Sequence, residues 1–188
     1  VRQLGVLDQF AGDADALVKP HQMGRGMDVN FQPLRLQHGA GKGTGRTLAV
    51  GPGHMDDGRQ TVEYEQLDGL AAEEGDWLAA SGERFALLAD NGLGWAIADL
   101  ALHRQSLLSV PLPGFFTQAQ IRHALDDAGI DGLLTDDPSR MRDALPGWRT
   151  AGVSGRTGLA LFRRQLDAST RPAIPSGAAK VTYTSGST

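Results

Sequence analysis

Apolar positions fall into regular blocks from residue 61 onward, and the blocks alternate in period. Thr61-Val62-Glu63-Tyr64 alternates polar and apolar and reads as a short extended entry. Leu67, Leu70, Ala71, Trp77 and Leu78 then share one helical face, predicting an amphipathic helix from Glu65 to about Ala80. Gly69 and Gly75 each cost that helix up to about 1 kcal/mol against alanine, and Ser81-Gly82 stops it. Phe85 to Ala89 is an unbroken apolar run, the pattern of a strand covered on both faces. Leu93 to Gln105 is apolar around most of a helical circumference, with Asp90-Asn91 as its expected cap. Leu107 to Pro113 reads as a second buried strand, closed by its prolines.

The clearest local signal follows. Thr117 and Gln120 have the spacing of a capping box, and Ile121, Ala124, Leu125 and Ala128 keep a helical stripe behind it. Gly129 stands where a left-handed helix terminus is wanted. Asp131 to Thr135 is a third strand, and Asp137-Pro138 opens a short helix carrying Met141 and Leu145 as far as Pro146-Gly147. Leu159 to Phe162 is a fourth strand, residues 163–178 form a polar connector with Pro172 and Pro175, and Val181 to Thr184 is the last strand. Strands and helices alternating in this way predict a three-layer α/β unit on a parallel sheet.

The first sixty residues are different in kind. They contain no Ser, Glu, Ile, Tyr or Trp, although glycine recurs from Gly5 to Gly58. Leu7, Phe10, Ala14, Leu17 and Val18 form one helical stripe, broken by Gly12 and Pro20, and no period is sustained after it. Residues 1–56 are therefore expected to be loop-rich or disordered, since they lack the apolar surface to offset the entropy of ordering. The composition changes so abruptly that these residues also read as a leader foreign to the fold, with the domain proper at 57–188. Gly39-Ala40-Gly41-Lys42-Gly43-Thr44-Gly45 mimics a nucleotide loop but fails both patterns. Gly43 stands where Ser or Thr should follow Lys42, Leu36 replaces the leading glycine, and Thr44 replaces the third glycine of a dinucleotide fingerprint.

Composition narrows the function. A net charge of −4 gives no basic footprint for nucleic acid. The absence of cysteine excludes disulfides, zinc–thiolate sites and cysteine nucleophiles. No apolar run approaches the roughly 18 residues that a membrane span needs, so a cytoplasmic protein is the expectation. The scattered histidines have no metal-ligand spacing, and no metal site or catalytic residue is predicted. Asp126-Asp127 and Asp136-Asp137 stand at helix ends or turns, which assigns them to capping or to solvent. Phe115-Phe116 reads as a hydrophobic loop anchor that could also line an acyl pocket.

The chemistry concentrates in the last stretch. The β-branched and aromatic run Val181-Thr182-Tyr183-Thr184 opens into Ser185-Gly186-Ser187-Thr188, small hydroxyls around one glycine. Such a loop suits an anion, because glycine lets the backbone approach closely, successive N–H groups converge, and hydroxyls add neutral donors. Lys180-Val181-Thr182-Tyr183-Thr184-Ser185-Gly186-Ser187-Thr188 resembles the start of the phosphate-binding signature of the AMP-forming acyl-CoA synthetase and adenylation-domain superfamily. Looser likenesses support it: Thr61 to Leu67, Arg84 to Asn91, Ala101 to Leu112 and Ile121 to Thr135 follow the family's order and spacing from Gly58 onward.

That resemblance implies the start of the large N-terminal domain of an AMP-binding ligase, and a two-step reaction. A carboxylic acid and ATP, with Mg2+, would give an acyl-adenylate and pyrophosphate; a thiol, commonly coenzyme A, would then take the acyl group. Fatty acid metabolism is the expected setting, although nothing in the sequence names the acid. Thr184, Ser185, Gly186, Ser187 and Thr188 are the residues that the resemblance places on the ATP phosphates. The family's pattern continues through Gly, Pro and Lys, so the chain is expected to be truncated within the loop, inactive alone and unable to hold ATP tightly. A complementing chain is the implied partner. Two other readings compete with this one: a non-catalytic remnant or interaction module on the same fold, and an unrelated α/β binder in which residues 185–188 are a plain tail.

Overall fold

The computed structural model describes residues 53–183, together with the backbone pairing of residues 3–4, 6–7, 21–22 and 49–50. Its strands are β1 (His54–Asp56), β2 (Thr61–Glu63), β3 (Arg84–Leu88), β4 (Leu108–Pro111), β5 (Gly132–Thr135), β6 (Arg149–Val153), β7 (Ala160–Arg163) and β8 (Lys180–Val181). Its helices are α1 (Tyr64–Ala79), α2 (Leu93–Arg104), α3 (Gln118–Asp127) and α4 (Pro138–Ala144). Strands and helices alternate from β2 to β6, after which β6, β7 and β8 follow one another without an intervening α-helix.

The main sheet runs β6-β7-β5-β3-β4-β8, with Val6–Leu7 antiparallel to β8 at one edge. Those two residues are extended where the sequence predicts a helical stripe, and residues 8–18 of the stripe lie outside the described residues. The expected parallel sheet is found in its centre, where β5, β3, β4 and β8 are parallel neighbours. β7 and β6 extend it antiparallel, so the sheet as a whole is mixed. β6 carries no apolar run because it is an edge strand, exposed along most of its length, and its pattern therefore gives no strand signal. A separate small sheet joins β1 to β2 and to Ala49–Val50.

Alternation along β3 divides the core. Phe85 and Leu87 pack with Leu78 of α1 and with Ala98, Ala101 and Leu102 of α2. Ala86 and Leu88 pack on the other face with Ile121, Ala124 and Leu125 of α3 and Met141 and Ala144 of α4. The result is three layers, with α1 and α2 on one side of the sheet and α3 and α4 on the other. Gly75, a poor residue for helix propensity, lies where α1 meets α2; a β-carbon there would stand 3.2 Å from the Ala101 carbonyl oxygen and 2.8 Å from Gln105 Cγ. The helix gives up propensity for close approach to its neighbour.

Two helix starts illustrate different sources of capping. At α3 the capping box is complete: Gln120 N–H donates to Thr117 Oγ1 at 3.3 Å and Thr117 N–H to Gln120 Oε1 at 2.9 Å. α2 starts from Gly92, not from Asp90-Asn91, and has no cap of its own. Asp57 supplies the acceptor instead, its Oδ2 taking the Leu93 N–H at 3.3 Å while its Oδ1 takes the N–H groups of Arg59 and Gln60. Asp57 is buried, and it ties the turn before β2 to the start of α2.

Candidate functional site

The parallel strands β3, β4, β5 and β8 present their carboxyl ends at one edge of the sheet. After β3 the chain passes to α2 on one face, and after β5 it passes to α4 on the other. A crevice at such a switch point is where open α/β sheets take ligands. Here it is a cavity of about 370 Å³, lined by Leu88, Ala89 and Asp90 after β3, by Thr135, Asp136 and Asp137 after β5, and by Gly114, Arg140 and Met141. Its size falls within the usual range for small-molecule sites.

Local bonds fix these walls. Asp136 Oδ2 accepts the Asp90 N–H at 2.9 Å, joining the two strand ends. Asp137 caps α4 by accepting the Arg140 N–H at 3.0 Å, the capping role expected of it. The Arg140 guanidinium donates to the carbonyls of Gly114 (3.3 Å) and Phe116 (2.8 Å), holding the loop after β4 over the crevice. In that loop Phe116 is buried and Phe115 is 79% exposed, their rings edge-on at 5.5 Å. Phe116 is thus the anchor, and Phe115 projects into solvent. Sequence reasoning missed the crevice, since its acids come from two strand ends 46 residues apart; the repeated strand–polar-turn pattern was the available signal.

The predicted loop residues Thr184, Ser185, Gly186, Ser187 and Thr188 lie outside the described residues. The strand that leads to them is β8. β8 lies parallel to β4, with Lys180 opposite Ser109, so the chain runs from β8 towards the edge that carries the crevice. Side chains alternate as the sequence requires. Val181 and Tyr183 are buried on the α3 side, where Tyr183 OH donates to Asp127 Oδ2 at 2.9 Å. Lys180 turns to the α2 side, its Nζ 2.6 Å from Asp99 Oδ2, while Ser109 Oγ donates to Asp99 Oδ1 at 3.0 Å. Asp99 is the one acid of an otherwise apolar helical stretch, which was the only hint in the sequence that it has a partner.

A second buried acid lies under the β6–β7 turn, which meets the end of β5 at this same edge, with Ala160 opposite Thr135. Glu74 of α1 is fully buried and accepts hydrogen bonds from Ser154 Oγ (2.5 Å) and Thr157 Oγ1 (3.3 Å) in the turn between β6 and β7. Burial pushes its carboxyl above the ordinary glutamate value, against those hydrogen bonds and the nearby Arg156 charge, which favour ionisation. The folded state therefore holds this proton to higher pH than the unfolded chain. The stability it confers is complete below the unfolded pKa and is lost as pH rises through the folded one. Glu74→Gln is expected to remove that slope, raising Tm at neutral pH while leaving it unchanged in acid. Thermal unfolding of both proteins across pH checks this, and a gain that grows towards acid would refute it.

Among the described residues, no group of three or more His, Cys, Asp and Glu side chains could hold a metal ion, and no helix is long and apolar enough to cross a membrane.

A family model described as AMP-binding enzyme matches residues 36–188. The match begins inside the segment that composition sets apart. Solved structures with similarity include O-succinylbenzoate coenzyme A synthetase from Bacillus subtilis in complex with AMP, at 27% identity over 42% of this chain and 22% of that one, with a TM-score of 0.39. A fatty acyl coenzyme A synthetase from Mycobacterium tuberculosis is 22% identical over 46% of this chain and 18% of its own, with a TM-score of 0.43. A Vibrio cholerae adenylation domain in complex with glycyl-adenosine-5'-phosphate is 24% identical over 46% and 17%, with a TM-score of 0.43. The chain thus spans less than a quarter of the length of each. No curated protein sequence matches it significantly.

Proposed function

The chain belongs to the AMP-binding enzyme family, and on that premise we propose that it is the phosphate-binding part of an ATP-dependent ligase that joins a carboxylic acid to a thiol. The observation that carries the reading is the run from Lys180 to Thr188 at the end of a strand that points to the ligand-binding edge of the sheet. Thr184, Ser185, Gly186, Ser187 and Thr188 would hold the phosphates through backbone N–H groups and hydroxyls, which position the anion without adding charge. ATP supplies the activation: the carboxylate displaces pyrophosphate, and a thiol such as that of coenzyme A then displaces AMP. The described residues prepare the loop. Val181 and Tyr183 bury its base, and Lys180 is neutralised by Asp99. Lys180, the one cation of that run, is therefore already committed and does not supply charge compensation for a polyphosphate. The crevice between β3 and β5, on the same edge, is the place we assign to a polar portion of a co-substrate.

The chain's short span relative to the solved chains supports a further part of the proposal: these 188 residues do not complete the reaction by themselves. Exchange of label between pyrophosphate and ATP, run with a panel of carboxylic acids, is expected to stay at background. In a titration with MgATP followed by amide chemical shifts, perturbations are expected at residues 182–188. Exchange above background would overturn the incompleteness, and shifts confined to other residues would overturn the loop assignment.

A further inference from the structure

We infer that Asp99 and Lys180 are positioning residues for the phosphate loop, their buried ion pair with Ser109 setting the register at which β8 delivers that loop. The inference rests on the loop assignment proposed above. The backbone hold on β8 is short: one residue pair with β4, Lys180 opposite Ser109, the bond from Ser109 N–H to the Ala179 carbonyl at 2.9 Å, and two antiparallel pairs with Val6–Leu7 on its other side. A slip of one residue would turn Val181 and Tyr183 out of the core, so burial opposes it. A slip of two keeps every side chain on its own face; apolar contact, being non-directional, opposes it weakly, and the Tyr183 hydroxyl bond to Asp127 opposes it at the far end of the segment.

The Asp99 carboxylate closes that gap. One oxygen takes Ser109 on β4 and the other takes Lys180 on β8, so a side chain fixed on α2 measures one strand against the other. Two residues either way, the partner would be Ala178 or Thr182, neither of them a cation. The amine also lies 6.0 Å from the ring centroid of Trp95, one turn earlier on α2, so a single helix holds it twice. Both members are largely removed from water, with side-chain exposures of 19% for Lys180 and 10% for Asp99. A buried pair of this kind adds little net stability over an apolar pair, whereas fixing register is its best-attested use.

The test separates register from stability. In the double variant Asp99→Asn/Lys180→Met no lone charge remains buried, so Tm is expected to stay close to that of the parent chain. Amide hydrogen exchange at Val181, Thr182 and Tyr183 is expected to quicken by on the order of tenfold, with exchange in β3 and β5 unchanged. Lys180→Arg, which keeps the cation, is expected to retain slow exchange. Ser109→Ala removes one arm of the pair without stranding a charge and is expected to show a smaller acceleration at the same three amides. Unchanged exchange at those amides in either the double variant or Ser109→Ala, or a uniform acceleration through all strands, would overturn the inference. The MgATP titration of the parent chain judges the loop assignment separately, because exchange at residues 181–183 needs no nucleotide.

Discussion

Replacing Asp131 by alanine is expected to destabilise the domain by about 3–5 kcal/mol, the usual cost of breaking a buried ion pair by removing one partner. Asp131 stands at the start of β5 and is only 4% exposed. Its carboxylate accepts the N–H groups of Glu83 (3.3 and 3.4 Å) and Arg84 (3.1 Å) at the start of β3, and Arg171 Nη2 at 2.7 Å from the connector before β8. One side chain thus joins two central strands and the segment leading to the loop. Arg171 keeps its second partner, Glu83, but that carboxylate is largely exposed and screened by solvent. The stranded groups are therefore two strand-initiating N–H groups and a guanidinium that is only 17% exposed. Asp131→Asn keeps an acceptor for the backbone and is expected to cost distinctly less than Asp131→Ala. Equilibrium unfolding in urea measures both, and a loss below about 1 kcal/mol for the alanine variant, the level of an ordinary surface pair, would remove Asp131 from this role.

Gly94→Ala is expected to cost about 3 kcal/mol or more, at or beyond the upper end for overpacking a core. A β-carbon at Gly94 would stand 2.3 Å from the carbonyl oxygen of Thr157. The obstacle is backbone and cannot swing aside. Thr157 belongs to the turn that Glu74 and Ser154 fix from below, with Ser154 Oγ accepting the N–H groups of Arg156 and Thr157, both at 3.2 Å. Relief would require α2 to lift from the β6–β7 turn or that turn to give up its bonds to Glu74. Either movement reaches β3, whose Phe85 and Leu87 pack on α2. A Tm unchanged by Gly94→Ala would mean that the turn yields freely. A clear loss together with faster exchange in residues 154–159 would locate the strain there.

The features that sequence reasoning found share a length scale. The capping box of Thr117 and Gln120 closes over three residues, and Gly129 takes its left-handed φ of +60° directly after α3. Helical stripes and buried runs likewise report contacts repeated every two to four residues, so β3, α2, β4, α3 and β5 were legible nearly to their ends. The same reasoning misplaced the cap of α2, because Asp57 reaches it from 36 residues away. It passed over β6, since an exposed edge strand needs no apolar alternation. It also gave Glu74, Asp99 and Asp131 no role, although all three are buried acids.

By itself the sequence determined the alternation of strands and helices and the three-layer class. These follow from local periodicity, while the nine residues from Lys180 to Thr188 carry a resemblance to a family signature. Only the tertiary structure decided the strand order, the antiparallel extension by β6 and β7, and the crevice between β3 and β5. It also decided that Lys180 is committed to Asp99, 81 residues away. The reason is physical. A carboxylate buried on one element is satisfied by whatever donor the fold brings to it, and no period in the chain records which distant residue that will be.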